Sequence, residues 1–133
     1  MSRLAFPVAL AVVVATAMAV GAGASGRPAY LLARCNSLAI RPPAVAPCGQ
    51  NRQQLLALRW TRWGGARATA TGSLYTNTCI PDCPSGEGRL DNVRVTASKL
   101  RDCPHGRQYT RLTYAPAVTG AFPAQHARLP CVR

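Results

Sequence analysis

Six cysteines, Cys35, Cys48, Cys79, Cys83, Cys103 and Cys131, all follow an uncharged apolar segment, and none lies within it. Residues 4–26 carry no charge and are preceded by a single base, Arg3. The run has the character of a signal-peptide core. Ala22-Gly23-Ala24 supplies a small-residue cleavage site before Ser25. The competing reading is a retained membrane anchor, since such a run is just long enough to span a bilayer. Pro7 early in the run and Gly21, Gly23 and Gly26 at its end favour cleavage. A lipoprotein is disfavoured because Arg34 stands directly before Cys35, where processing needs a small residue. The expected product is secreted, extracellular or in the cell envelope, with no membrane span after cleavage.

An even number of cysteines in an exported chain reads as a disulfide framework of three bridges. After cleavage only seven aromatic residues remain: Tyr30, Trp60, Trp63, Tyr75, Tyr109, Tyr114 and Phe122. So few large side chains build a thin core, which makes covalent staples matter. Loop-closure entropy favours a Cys35–Cys131 bridge tying the ends together, with a long loop contributing about 4–5 kcal/mol. Cys48, Cys79, Cys83 and Cys103 then form the other two. A metal alternative uses Cys79-x3-Cys83 and Cys103-Pro104-His105, but an oxidising compartment favours disulfides. No metal, catalytic or cofactor motif stands out.

The domain plan is a signal peptide over 1–24, an irregular segment over 25–50 and a β domain over 51–133. Turn signals at 41–43, 46–49, 64–65, 81–88, 103–106 and 122–123 separate short runs of period two, the strand signature. The clearest hairpin spans Gln54 to Thr76. A two-residue Gly64-Gly65 turn sets Arg62 opposite Arg67. A three-residue Trp63-Gly64-Gly65 loop instead sets Trp60 against Ala68, Leu58 against Ala70 and Leu56 against Gly72. The second register is preferred, because large residues then meet small ones. Its rival is a helix over Asn51 to Trp60, capped by Asn51.

Asn92 to Leu100 reads as a strand with Val93, Val95 and Ala97 inward and Arg94, Thr96 and Ser98 outward. Gln108 to Ala115 reads as a fourth strand, with Tyr109 and Tyr114 on opposite faces. Leu31 to Ile40 fits either an edge strand or a short helical turn. These elements predict an all-β fold, a small disulfide-stapled antiparallel sandwich or open barrel.

The motifs Trp60-x-x-Trp63-Gly64-Gly65, Ala68-x-Ala70-x-Gly72 and Asn77-x-Cys79-x-Pro81-x-Cys83-x-x-Gly86 stand in succession. With Val93-x-Val95 and Cys103 downstream, residues 48–115 resemble uncharacterised secreted proteins of high-GC soil bacteria. The resemblance implies export and a β-rich domain. It carries no known activity and transfers no functional residue.

Catalysis has little to draw on. The chain holds four acids, Asp82, Glu87, Asp91 and Asp102, and two histidines, His105 and His126. Asp102 and His105 flank a cysteine that oxidation would occupy, and His126 lies in a polar tail with Arg128. The expectation is therefore a non-enzyme. Charge is the stronger handle, at +12 with 16 Lys and Arg. Arg59, Arg67, Arg94 and Arg111 alternate with threonine and serine on strands. Such a face suits phosphate, sulfate or carboxylate through guanidinium bonds. GC-rich coding and solubility are the plainer explanation of that charge. The expected partner is an anionic extracellular polymer or cell wall rather than a specific nucleic acid, since no reader module is present. Exposed tryptophan at Trp63 suggests a glycan platform, although a structural role suits both tryptophans better. The alternative function is a protease inhibitor presenting Ile80 from the stapled 79–86 loop.

Overall fold

The computed structural model describes residues 26–48, 52–78 and 88–133. The signal segment and the 79–86 loop with Ile80, Cys79 and Cys83 lie outside the described residues. So do Asp82 and Glu87. The described chain contains seven strands: β1 (Ala29–Arg34), β2 (Ser37–Ala39), β3 (Gln53–Arg62), β4 (Ala68–Asn77), β5 (Gly88–Cys103), β6 (Gly106–Pro116) and β7 (Gln125–Arg128). They form one curled sheet, an open half-barrel, in the order β2-β1-β6-β5-β4-β3, with β7 also on β6. No helix occurs among the described residues, and Gln53–Arg62 is strand rather than the rival helix.

Alternation builds the central strands. Val93, Val95 and Ala97 on β5 are buried, as are Leu112 and Tyr114 on β6 and Ala68, Ala70 and Leu74 on β4. Their neighbours Arg94, Thr71 and Arg111 are exposed. The buried set forms the concave core together with Leu31, Val45 and Leu55. At about 25 cal/mol per Å² of apolar surface, this narrow band of small aliphatics supplies the main drive to curl.

Residues 42–46 tie β3, at one edge of the sheet, to β1. Val45 exchanges backbone hydrogen bonds with Leu55 (2.9 and 2.8 Å), and Leu58 N–H donates to the Pro43 carbonyl (2.9 Å). On the other side, Ala46 N–H donates to the Ala33 carbonyl (2.9 Å). Trp60 Nε1 adds a bond to the Pro42 carbonyl (2.8 Å). The segment expected to be irregular, 25–50, thus contributes two strands and an edge bridge. β1 also pairs parallel to β6, through Ala29–Arg107 and Tyr30–Gln108, where an all-antiparallel sheet was expected. The two strands are far apart in sequence, so no tight turn imposes their direction.

Beside its turn the β3–β4 hairpin takes neither expected register, and only Gln53–Leu56 fall in the pairing of the rejected two-residue turn. Leu56 pairs with Ser73, but Arg59 pairs with Thr71, Trp60 with Ala70 and Arg62 with Thr69. Bulges between Leu56 and Arg59 and between Trp60 and Arg62 absorb the slips. Ala57, with φ 51°, carries the first. Its effect is to bury Leu55 and Leu58 rather than Leu56. A strictly alternating strand could not bury both.

A second switch of phase lies where β5 and β6 face each other. Lys99 has φ 55°, and beyond it Leu100 packs on the core and Tyr109 is buried. Tyr109 and Tyr114 therefore share the interior instead of opposite faces.

The disulfides also differ from the expected pairing. Cys35 bonds to Cys48 and Cys103 to Cys131, at sequence separations of 13 and 28. Entropy rewards the longest loop, but native geometry decides which cysteines meet. Residues 42–46 run back beside β1 and return Cys48 to Cys35. The tail after β7 returns Cys131 to the β5–β6 turn. The expected partner of Cys35, Cys131, instead lies across one surface depression from it.

Candidate functional site

The Trp-Gly-Gly tip closes one end of the sheet and is structural. Trp63 is half-buried, with ring centroids 4.8 Å from Trp60 and 5.3 Å from Tyr109 in edge-to-face contact. Its indole Nε1 donates to the Ala29 carbonyl (3.1 Å). Gly64, at φ 89°, donates its N–H to the Tyr109 hydroxyl (3.0 Å), which in turn donates to the Gly65 carbonyl (2.8 Å). Arg107 donates from a terminal guanidinium nitrogen to the Gly64 carbonyl (2.9 Å). These contacts give Trp63 a structural part in the tip. Burial raises the Tyr109 phenol above its ordinary value of 10.0, opposed by the Gly64 hydrogen bond and the Arg107 charge. Tyr114 is raised by burial.

Opposite the core, the outer face is cationic and hydroxylated. Its rows follow from strand register. One row runs Arg59–Thr71–Arg94–Ala115. The next runs Arg62–Thr69–Thr96–Thr113–His126. The third runs Ser98–Arg111–Arg128. Arg67 stands just before β4 and shares a depression with Ser98, Lys99 and Arg111. All four arginines singled out in the sequence are thus on one face, in two groups. Arg59 and Arg94 lie at one end and Arg67 and Arg111 at the other, about 13 Å apart by strand rise.

Hydroxyls fill the interval. Thr61 and Thr69 are joined Oγ1 to Oγ1 (3.0 Å), and Thr113 Oγ1 meets His126 Nδ1 (3.1 Å). A shallow depression of about 260 Å³ is lined by Thr61, Thr69, Thr71, Arg94 and Thr96. Beyond the third row, a depression of about 400 Å³ gathers Lys99, Arg101, Arg111 and Arg128 beside Thr110 and Pro130. The Thr110 hydroxyl donates to the Lys99 carbonyl (2.7 Å) and so fastens the left-handed turn that brings Lys99 to the surface.

Arg111 and Arg128 are directly opposed on β6 and β7. Like charges in that position destabilise a sheet. Among the described residues the two acids are engaged elsewhere, Asp91 with Arg89 (2.8 Å) and Asp102 with Arg27 (3.8 Å). No carboxylate in the described chain offsets the cluster.

Sequence reasoning missed Lys99, Arg101 and Arg128. For Arg128 a signal existed: Ala127 and Leu129 pack on the core while His126 and Arg128 alternate with them. For Lys99 strict alternation after Val93, Val95 and Ala97 points inward, and only the left-handed backbone reverses it. Elsewhere, Cys103 is in a disulfide, so it is neither a nucleophile beside His105 nor a metal thiolate. Among the described residues no three His, Cys, Asp or Glu side chains converge. No family model matches this chain, and no curated protein or solved structure matches it.

Proposed function

We propose that this protein is a secreted, non-catalytic module that binds an anionic extracellular or cell-wall polymer through the outer face of its sheet. The carrying observation is the opposed pair Arg111 and Arg128, flanked by Arg67, Lys99 and Arg101 with no described carboxylate among them. Placing five cations together works against folding, and bound oxyanions relieve that repulsion. Arginine suits the task because its planar guanidinium makes paired bonds to phosphate, sulfate or carboxylate. Threonine and serine hydroxyls between the two arginine groups add neutral donors. The described disulfides fit an oxidising location.

The test is retention of the oxidised protein on cell walls and soluble polyanions across a salt series. Binding should fall steeply with salt. Arg94→Ser with Arg111→Ser should weaken it and reduce the logarithmic salt slope by roughly two, about one per cation removed. Salt-independent retention, or none at low salt, contradicts the proposal.

A further inference from the structure

The three depressions of the outer face are not scattered. Each is lined by β5, and two of them share Lys99 and Arg111. Along β5 the outward sequence is Arg94, Thr96, Ser98, Lys99 and Arg101. Neighbouring strands add Thr69 and Thr71 at one end and Arg111 and Arg128 at the other. From Arg94 to Arg101 the strand covers about 23 Å.

Resting on the polymer-binding reading above, we infer that β5 is the floor of an extended track along which a linear chain of tetrahedral oxyanions lies lengthwise. Arg94 holds one end, the hydroxyl stretch passes the middle, and the Lys99, Arg101, Arg111 and Arg128 cluster anchors the other. The ligand is a polymer carrying phosphate or sulfate at regular intervals, not a single small anion.

The geometry at Lys99 supports this assignment independently of net charge. A lysine at φ 55° inside a long strand adopts a conformation that side chains other than glycine avoid. Such outliers persist where surrounding structure holds them, here through the Thr110 hydroxyl bond. The consequence is that a side chain due to face the core joins the two depressions instead. Directional alignment also follows from strand order. Arg94 and the cationic cluster are joined by one continuous strand, so a chain engaging both runs with β5 rather than across the sheet.

Length dependence is the test. Affinities of inorganic phosphate, polyphosphates of graded length and sulfated dextrans of graded length are measured by titration at fixed salt. Binding should tighten by roughly tenfold or more as the chain grows to span the track, because the second group then binds at high effective concentration. It should level off beyond that length, after correction for the number of overlapping sites. Comparing the two polymer series identifies the oxyanion: tighter binding of one at matched length and charge assigns phosphate or sulfate. Lys99→Gly removes one charge of the cationic cluster while tolerating the left-handed backbone, and Arg94→Ser removes the far anchor. Both should fold as wild type by circular dichroism, and Arg94→Ser should abolish the gain from the longer chains. Salt-sensitive binding with no dependence on length overturns the track and leaves the outer-face reading intact. Failure to bind any of the polymers overturns both.

Discussion

At the residue scale, two positions show how backbone geometry sets what the side chains do. Gly72 lies beneath the first β3 bulge, where an added Cβ would stand 2.7 Å from both the Leu56 carbonyl oxygen and Leu58 Cδ2. Gly72→Ala should therefore cost about 1–3 kcal/mol by forcing the bulge off the sheet, measured by chemical denaturation. A loss below the error of that measurement would contradict the packing. Gln108, fully buried, donates from Nε2 to the Pro130 carbonyl (2.6 Å) and accepts from Val132 N–H (3.2 Å). It takes over where the C-terminal tail leaves β6, filling the gap between β1 and β7. The hydrogen-bond role of Gln108 and the inward turn of Tyr109 were not legible in the sequence, because period two assigns adjacent residues to opposite faces and predicts only one of them buried. Tyr114 illustrates a titration effect. Its hydroxyl donates to Gln53 Oε1 (2.9 Å), and burial favours the neutral phenol. A phenol whose folded value is raised contributes stability that is fully present below pH 10 and lost as pH climbs through the higher folded value. The melting temperature should accordingly fall above about pH 10. Tyr114→Phe should flatten that decline while losing about 0.5–1.5 kcal/mol of hydrogen bonding at neutral pH.

At the element scale, strands whose apolar residues alternate without interruption were readable. Val93, Val95 and Ala97 gave both the existence and the inner face of β5. β7 was too short to register, with four residues and one small inward-facing alanine, Ala127. The β3–β4 register failed for a physical reason: the connection is longer than either expected turn, so Arg62 pairs with Thr69 beside it, and two bulges shift the pairing again along the strands. Disulfide pairing failed because loop entropy describes the unfolded chain and says nothing about which cysteines the fold brings together. The Cys103–Cys131 bridge closes a loop of separation 28 and fastens the tail that covers Gln108. Replacing both cysteines by serine should cost about 3–4 kcal/mol in the chain-entropy picture. It should also raise amide exchange first at Leu129 and Val132, whose N–H groups bond to Thr110 and Gln108. Equal protection in wild type and variant would contradict this coupling of bridge and tail.

At the scale of the whole molecule, the sheet separates two chemistries. Its concave side is a core of aliphatic side chains with Tyr109 and Tyr114, closed by the tryptophan tip. Its convex side presents arginines, one lysine and threonines. That face was half legible: alternation placed Arg94 and Arg111 outward, yet nothing local to either residue showed that Arg128 would arrive opposite Arg111. The convergence arises from the long return of the chain to β6. A surface of this kind should be stabilised by the ligands it attracts. Phosphate or sulfate should raise the melting temperature more than chloride at equal ionic strength, since binding to the folded state adds to general screening. Equal effects would reduce the response to screening alone.

The most direct measurement compares wild type with Arg111→Ser/Arg128→Ser for unfolding stability at low salt and for polyanion affinity. Arg34→Ser/Arg52→Ser removes the same charge from exposed positions outside β4–β7 and serves as the control. The account predicts that the first pair raises unliganded stability, by roughly 0.2–1 kcal/mol for the relieved like-charge contact, and weakens binding well beyond the control. Equal loss of affinity in both double variants, with no gain in stability from the first, would contradict a dedicated binding face.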